Sequence, residues 1–284
     1  MVRAPERSTM GPWYERGPFG AAPEWVERVV AGDQPAGPRG RLGVLWFAVA
    51  GLAGVVGLFA LAVVFAAVAA VAALQCVATW RQARTTQMRA VCAATAGFLP
   101  LAAAFGIALV GLVVLVAAMA AVAVAVVTDR GVSDGVDGRR PRVLVLAGIA
   151  VRCGIVPGLA AASAVLVARA SGSAFFVLLV LISGYEVGDY LVGSGAGSRL
   201  EGPIAGMAAV MVLTFGVAVY QLAIFDTAAA WVFGAMVAVT APLGPIVAAT
   251  LVPSATAVGP AMRRLDSWLV TAPFWAWMLW DYLG

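Results

Sequence analysis

Four long uncharged runs constrain this chain more than any other feature. Residues 42–80 and 90–128 contain no charged side chain, and each of these runs is 39 residues long. A helix needs about 20 apolar residues to cross the hydrocarbon core of a bilayer. Each run therefore predicts two membrane-spanning helices joined by a tight turn. Residues 203–225 and 227–262 are also uncharged, so the sequence indicates a polytopic helical membrane protein.

The predicted fold class is an all-α transmembrane bundle of about 8–9 spans. The expected spans cover residues 42–59, 60–80, 90–108, 109–128, 143–167, 173–190, 203–225, 227–252 and 267–283. Pro242, Gly244 and Pro245 are expected to break or kink the eighth span. We divide the chain into a polar N-terminal arm (1–41), an N-terminal set of helices and basic loops (42–142) and a C-terminal transmembrane domain (143–284) that carries the polar site.

The charged side chains predict the orientation of the bundle. All 18 basic residues are arginine, and the chain contains no histidine, which excludes Schiff-base lysines and histidine-ligated metals. The arm and the arginine-rich loops at 81–89 and 129–142 would lie in the cytosol by the positive-inside rule. If successive spans cross the membrane in opposite directions, the polar stretches 186–201 and 263–266 lie on the same, cytosolic face as these loops. We predict a multi-pass protein of the inner (plasma) membrane, with its N-terminus and its active-site face cytosolic.

Few reactive side chains lie inside the predicted spans. Cys76, Cys92 and Cys153 are odd in number and not clustered along the sequence, so we interpret them as ordinary small apolar residues. Arg152 falls in the first half of the fifth span. It either extends to the interface or faces a polar pocket, and the sequence leaves both alternatives open.

The strongest candidate site is the glycine-rich stretch 184–202, which lies between two apolar runs. Ionisable groups at a bilayer edge are costly and indicate function by default. Glu186 and Asp189 share a helix face if the sixth helix continues that far, and Glu201 returns one loop later. Converging carboxylates without histidine favour Mg²⁺ that also carries a phosphorylated ligand. The alternative is a solvated loop with acids that cap helices, and Glu201 in particular is placed as a helix cap or as a supporting residue.

Arginines and glycines around this stretch predict a phosphate-binding site. The guanidinium groups of Arg199, Arg263 and Arg264 can hold phosphate oxygens in a bidentate manner. Gly193 and Gly195 allow the backbone to approach a ligand closely.

Two segments of the C-terminal half resemble a known enzyme family. Residues 186–206, EVGDYLVGSGAGSRLEGPIAG, are similar to the D-x-G-A-Y-x-x-G … K-T-x-E-G-x-I-G-G region of phosphatidate cytidylyltransferases (CDP-diacylglycerol synthases). Residues 263–273, RRLDSWLVTAP, resemble the closing D-R-x-D-S-x-x-x-A-P motif of that family. The resemblance covers roughly residues 145–284, and the N-terminal half is similar in hydropathy alone.

The resemblance implies a membrane-bound transferase of phospholipid biosynthesis. In this family the phosphate of phosphatidate attacks the α-phosphorus of CTP, a CDP-lipid such as CDP-diacylglycerol forms, and pyrophosphate leaves. It implies that Glu186, Asp189 and Asp266 are catalytic and hold Mg²⁺, while the three arginines bind phosphates. The expected partners are CTP, a phosphatidate-type lipid and the bilayer. No nucleic-acid partner is expected, and the sequence allows a homo-oligomer.

The departures from the family pattern keep other functions open. Glu186 stands where the family has aspartate, and Arg263 replaces an acidic residue with a cation. The family's Pro-Gly-His-Gly-Gly turn is replaced by PSATAVGP at residues 253–260. The leading hypothesis is an active nucleotidyltransferase. The alternatives are a catalytically degenerate relative that binds an anionic lipid or a partner protein and, ranked last, a transporter.

Overall fold

A backbone that crosses apolar surroundings must satisfy its hydrogen bonds internally, and this chain does so with helices. The computed structural model describes residues 39–131, 143–194, 200–222, 224–254 and 257–284. Those residues form helices joined by short turns, including a 3₁₀ turn at Arg81–Ala83, and contain no β-strand. The helices are α1 (Arg39–Val56), α2 (Leu58–Thr79), α3 (Thr86–Ala103), α4 (Ile107–Gly131), α5 (Val143–Ala170), α6 (Gly172–Gly193), α7 (Glu201–Tyr220), α8 (Thr227–Thr240), α9 (Leu243–Thr250) and α10 (Met262–Leu283).

Five helices within the described ranges are long and apolar enough to cross a membrane, namely α2, α4, α5, α6 and α7. The pair α8 and α9 passes the same test as one bent span, which gives up to six. The all-helical membrane fold is thus supported, but this count is smaller than the 8–9 spans predicted. The apolar part of α1 is short. Polar first turns, with Arg89 in α3 and Arg263 in α10, shorten the apolar length of these two helices.

Tight turns divide the two 39-residue runs, as the sequence predicts. Only Gly57 separates α1 from α2, and Gly106 directly precedes α4. Both glycines have φ near +135°, at 135° and 136°, a conformation that side chains with a β-carbon rarely adopt. The predicted break of the eighth span is also confirmed, because α8 and α9 meet at an angle of 40° beside Pro242.

Helix α5 forms the centre of the bundle and packs against α2, α3, α4 and α10. Residues 160–167 of α5 are all buried. Small residues allow the close packing: a β-carbon at Gly158 would lie 2.9 Å from the Cα atom of Ala96 in α3. The outer surface carries apolar side chains such as Leu144, Val212 and Leu115, which are 83%, 71% and 65% exposed. An apolar outer surface of this kind suits contact with lipid.

The antiparallel pair α6 and α7 is joined along a seam of glycines. A β-carbon at Gly188 would lie 2.7 Å from the carbonyl oxygen of Ala205, and one at Gly193 would lie 3.2 Å from the Cα atom of Gly202. This contact brings the C-terminal end of α6 to the first turn of α7. The acidic residues of both helices therefore lie at one end of the bundle.

The same end of the bundle receives the segment before α10. Gln75 Oε1 at the end of α2 accepts a hydrogen bond of 3.0 Å from the backbone N–H of Ala261. At the other end of α10, the Tyr282 hydroxyl donates to the Ile224 carbonyl at 3.1 Å. The 22 residues of α10 separate these two contacts by about 30 Å, at ~1.5 Å per residue. The Arg81–Ala83 turn and the start of α10 thus lie opposite the α7–α8 turn.

Candidate functional site

The structure brings together two acidic residues that are far apart in the sequence. Glu186 of α6 and Asp266 of α10 are close enough for their charges to interact, and the side chain of Ser267 reaches Glu186. The backbone N–H of Ser267 donates to Asp266 Oδ1 at 2.7 Å, and the Ser267 hydroxyl lies 3.4 Å from the same oxygen. We call Glu186 and Asp266 the acid pair.

One oxygen of the acid pair has no protein partner. Glu186 Oε1 is buried and makes no hydrogen bond. Buried polar atoms in proteins nearly always have a partner, so an exception needs an explanation such as a water molecule or a ligand. The orphaned carboxylate oxygen is the clearest sign in this region that a cation, a proton or a donor group belongs there.

Asp266 lies just before the predicted ninth span and is partly buried. Burial raises the pKa of Asp266 to about 6, even though the Ser267 N–H bond and the positive charges of Arg264 and Arg263 oppose the rise. The carboxyl group therefore changes its protonation state close to the physiological range. A cation or a phosphate-bound metal would stabilise the charged form.

The segment that follows the break between α8 and α9 lies against the backbone of Asp266. Gly244, in the first turn of α9, lies against the backbone carbonyl of Asp266, and a β-carbon at Gly244 would be 2.9 Å from the Cα atom of Ser267. No larger side chain fits between these two backbones. The broken helix therefore supports the backbone of Asp266 and Ser267. The sequence predicts only that Pro242, Gly244 and Pro245 break or kink this span.

Asp189 lies close enough to Glu186 for its charge to act on that residue. Its Oδ1 atom lies 2.6 Å from where a β-carbon of Gly202 would stand, so its carboxylate faces the start of α7. Among the residues that the structure describes, no three acidic or cysteine side chains are grouped closely enough to hold a metal ion. Glu201 is exposed in the first turn of α7, where the helix dipole favours a carboxylate.

The two arginines of α10 lie close enough to Asp266 for their charges to act on it. The charge of Arg264 acts on both Glu186 and Asp266, and its Nη1 atom lies 3.2 Å from the β-carbon position of Gly43 in α1. Arg263 Nε donates to the carbonyl of Val258 at 3.4 Å. The positive charge of Arg263 also acts on Asp266. Arg199 and Gly195 lie outside the described residues.

Helix packing accounts for several of the glycines in the family resemblance. Gly193 and Gly202 allow α6 and α7 to touch, and a β-carbon at Gly206 would lie 2.6 Å from the ring of Tyr185. These glycines are required by close packing whether or not a ligand binds. Their presence in the motif is therefore weaker support for an active site than the acid pair.

Sequence reasoning missed two features of this end of the bundle. Tyr185 is only 3% exposed and lies close enough to Glu186, Asp189 and Asp266 to feel their charges; its position directly before Glu186 was the available signal. The second is a contact between two cysteines that are not clustered along the sequence, because Cys76 Sγ and Cys153 Sγ are 3.0 Å apart. A separation of 77 residues does not limit contact between neighbouring helices.

Comparison with known proteins found no match to any protein-family model, any curated protein sequence or any solved structure. No comparison identifies a relationship to phosphatidate cytidylyltransferases. That resemblance therefore rests only on the residues of the two motifs, and a function must be argued from the geometry of the site.

Proposed function

We propose that the protein is an integral-membrane, CTP-dependent cytidylyltransferase that makes a CDP-lipid, such as CDP-diacylglycerol, from phosphatidate and releases pyrophosphate. The observation that carries this proposal is the acid pair with its orphaned oxygen, close to the positive charge of Arg264 at one end of the bundle. The acid pair would bind the cation that accompanies the phosphates, and the arginine would bind the negatively charged phosphates themselves. The nearby apolar surface, including Leu191 and Ile204 at 70% and 60% exposed, offers a lipid substrate lateral access.

The acid pair fits Mg²⁺ better than the three-carboxylate set does. Mg²⁺ usually keeps several waters and binds through one or two carboxylates together with substrate phosphates. Glu186 and Asp266 would supply these carboxylates, and the unpartnered Glu186 Oε1 is the atom most suited to the ion. Mg²⁺ bound there would neutralise charge on the phosphates. Asp189, whose carboxylate faces α7, would act by holding the start of that helix in place.

The protein's own residues would act mainly by positioning. Phosphoryl-type transfer depends on alignment and charge stabilisation, and it needs no covalent nucleophile, so the absence of His and Lys is tolerated. Arg264 and Arg263, with Arg199, would hold phosphate oxygens of CTP and of the lipid. The lipid phosphate then attacks the α-phosphorus in line, and the bond to the pyrophosphate group breaks.

The proposal includes a location and an orientation. We place the protein in the inner (plasma) membrane with 8–9 spans, in which α1, α3 and α10 cross together with neighbouring helices. The acid pair and the arginine-rich loop at 81–89 would face the cytosol, where CTP is available. The clustering of arginines at that end supports this orientation.

An assay of the purified protein tests the reaction. Detergent-solubilised protein with radiolabelled CTP, phosphatidate and Mg²⁺ should form labelled CDP-lipid. We expect Glu186→Gln and Asp266→Asn to lower turnover at least about 100-fold, because each removes charge stabilisation at the reacting phosphates. Asp281→Asn is the matched control, since Asp281 is an exposed acid on the same helix, and it should leave turnover unchanged. Absence of any CDP-lipid from well-folded wild-type protein would refute the enzyme.

A second candidate is a degenerate relative that binds an anionic lipid or a partner protein without turnover. The observation that favours it is Arg263, whose cation lies near Asp266 at a position where the family pattern has an acid. Calorimetry separates the two candidates. The enzyme should bind CTP only when Mg²⁺ is present, whereas the degenerate relative should bind vesicles of anionic lipid with no dependence on nucleotide.

A further inference from the structure

Two buried cysteines on different helices are in direct contact. Cys76 of α2 and Cys153 of α5 place their Sγ atoms 3.0 Å apart. Both are free thiols, and their side chains are 2% and 0% exposed. A disulfide bond has a sulfur–sulfur distance of about 2.05 Å, so the two sulfurs need to approach by only about 1 Å. Packing of α2 directly against α5 holds the pair in this position.

The third cysteine has a different partner. Cys92 of α3 is buried and directs its thiol to the carbonyl of Ala150 at 3.8 Å. The geometry therefore distinguishes one pair from the other two combinations, and sulfur chemistry at this place should be selective.

The surroundings allow the pair to lose its hydrogens without leaving a new unsatisfied group. Cys76 Sγ donates to the carbonyl of Leu251 at 3.3 Å, and Trp80 Nε1 donates to the same oxygen at 3.1 Å. If the thiol donor disappears, the indole donor remains. The penalty that normally follows when a buried carbonyl loses its only partner is thus avoided.

We propose that Cys76 and Cys153 form an intramolecular disulfide site that links α2 to α5. The reaction with a small two-electron oxidant of the azodicarboxamide class is balanced. Two S–H bonds break and one S–S bond forms, while both hydrogens and two electrons pass to the N=N bond, which becomes a hydrazine. The oxidant must be membrane-permeant because both sulfurs are buried. This site is independent of the proposed transferase activity, so either can fail without the other.

Peptide mapping tests the disulfide site in the full-length protein. Cleavage after arginine places the three cysteines in separate peptides, 42–81, 90–130 and 153–169. Folded protein in detergent is treated with diamide, and the remaining thiols are blocked with N-ethylmaleimide during unfolding. We expect peptide 42–81 joined to 153–169, two hydrogen atoms lighter than the sum, with Cys92 alone blocked. Dithiothreitol should separate the linked peptides.

Variants sharpen the outcome. Cys92→Ser should retain the link, and Cys76→Ser and Cys153→Ser should each abolish it. Oxidation of protein that was unfolded first should give mixed pairings, which shows that the selectivity depends on the fold. Three blocked thiols in oxidised wild-type protein, or a link that includes peptide 90–130, would overturn the proposal. Because wild-type protein alone gives this answer, poor folding of a variant does not obscure it.

Discussion

At the scale of single residues, the protonation of Asp266 connects burial to stability. Its pKa rises from an ordinary 3.8 to about 6 because burial disfavours the charged form. Between these pH values the folded state binds more protons than the unfolded state does. Stability therefore falls as the pH rises in this range, which is the opposite of the usual behaviour of a salt-bridged carboxylate.

We expect the unfolding free energy of the detergent-solubilised protein to depend on pH because Asp266 binds a proton. The contribution of Asp266 should be present in full below pH about 4 and should be lost by pH about 7, a change on the order of 3 kcal/mol from the pKa difference. Asp266→Asn should remove that part of the pH dependence, while Asp281→Asn should keep it. Identical pH profiles for wild-type and Asp266→Asn protein would show that Asp266 is ordinarily hydrated in the folded state.

The sequence predicts which residues are charged near the bilayer, but not how each carboxylate is oriented. Glu186 and Asp189 are one turn apart on α6, as their spacing predicts. Yet Glu186 lies near Asp266 of α10, whereas the carboxylate of Asp189 faces Gly202 of α7. Spacing along one helix fixes a shared face only roughly. The neighbouring helices decide which carboxylates come together, and a single sequence does not contain that information.

At the scale of elements, the break between α8 and α9 is predictable and its role is not. Pro242 and Pro245 cannot continue a regular helix, so the kink follows from the sequence alone. The contact of Gly244 with the backbone of Asp266 depends on how α9 packs against α10. A similar limit applies to the cysteine pair, where α2 and α5 meet through packing that no local pattern indicates.

Substitution of Gly244 tests this contact. In Gly244→Ala the new methyl group would overlap the Asp266 carbonyl, and backbone atoms cannot move away as a flexible side chain can. We expect a loss of about 1–3 kcal/mol in unfolding free energy, together with reduced CDP-lipid formation. Gly216→Ala in α7 is the matched control, since nothing lies within 4 Å of its β-carbon position. Alanine there should be neutral or stabilise by up to about 1 kcal/mol. Equal effects of the two substitutions would show that α9 does not press on α10.

At the scale of the whole molecule, the two ends of the bundle differ chemically. Successive turns between helices lie at opposite ends. One end carries the Arg81–Ala83 turn, the acid pair and the segment before α10. The other carries the Gly57 and Gly106 turns, where Phe59 and Phe105 lie 5.7 Å apart. Hydropathy and the positive-inside rule predict this division, because both depend on composition and not on detailed packing. The number of helices that cross the bilayer depends on how deep the polar first turns of α3 and α10 lie.

Labelling of single cysteines from one side of the membrane tests the orientation. The native cysteines are replaced by serine, and Gln82→Cys or Ala228→Cys is introduced; both positions are exposed and lie at opposite ends of the bundle. In sealed right-side-out vesicles, a membrane-impermeant maleimide should label the cysteine at 228 at once. It should label the cysteine at 82, which lies between Arg81 and Arg84, only after permeabilisation, because arginine-rich loops remain in the cytosol. Labelling of both positions from the outside would rule out a membrane between the two ends. Labelling of position 82 alone would show that the protein has the opposite orientation. The acid pair would then lie on the side of the membrane that lacks CTP.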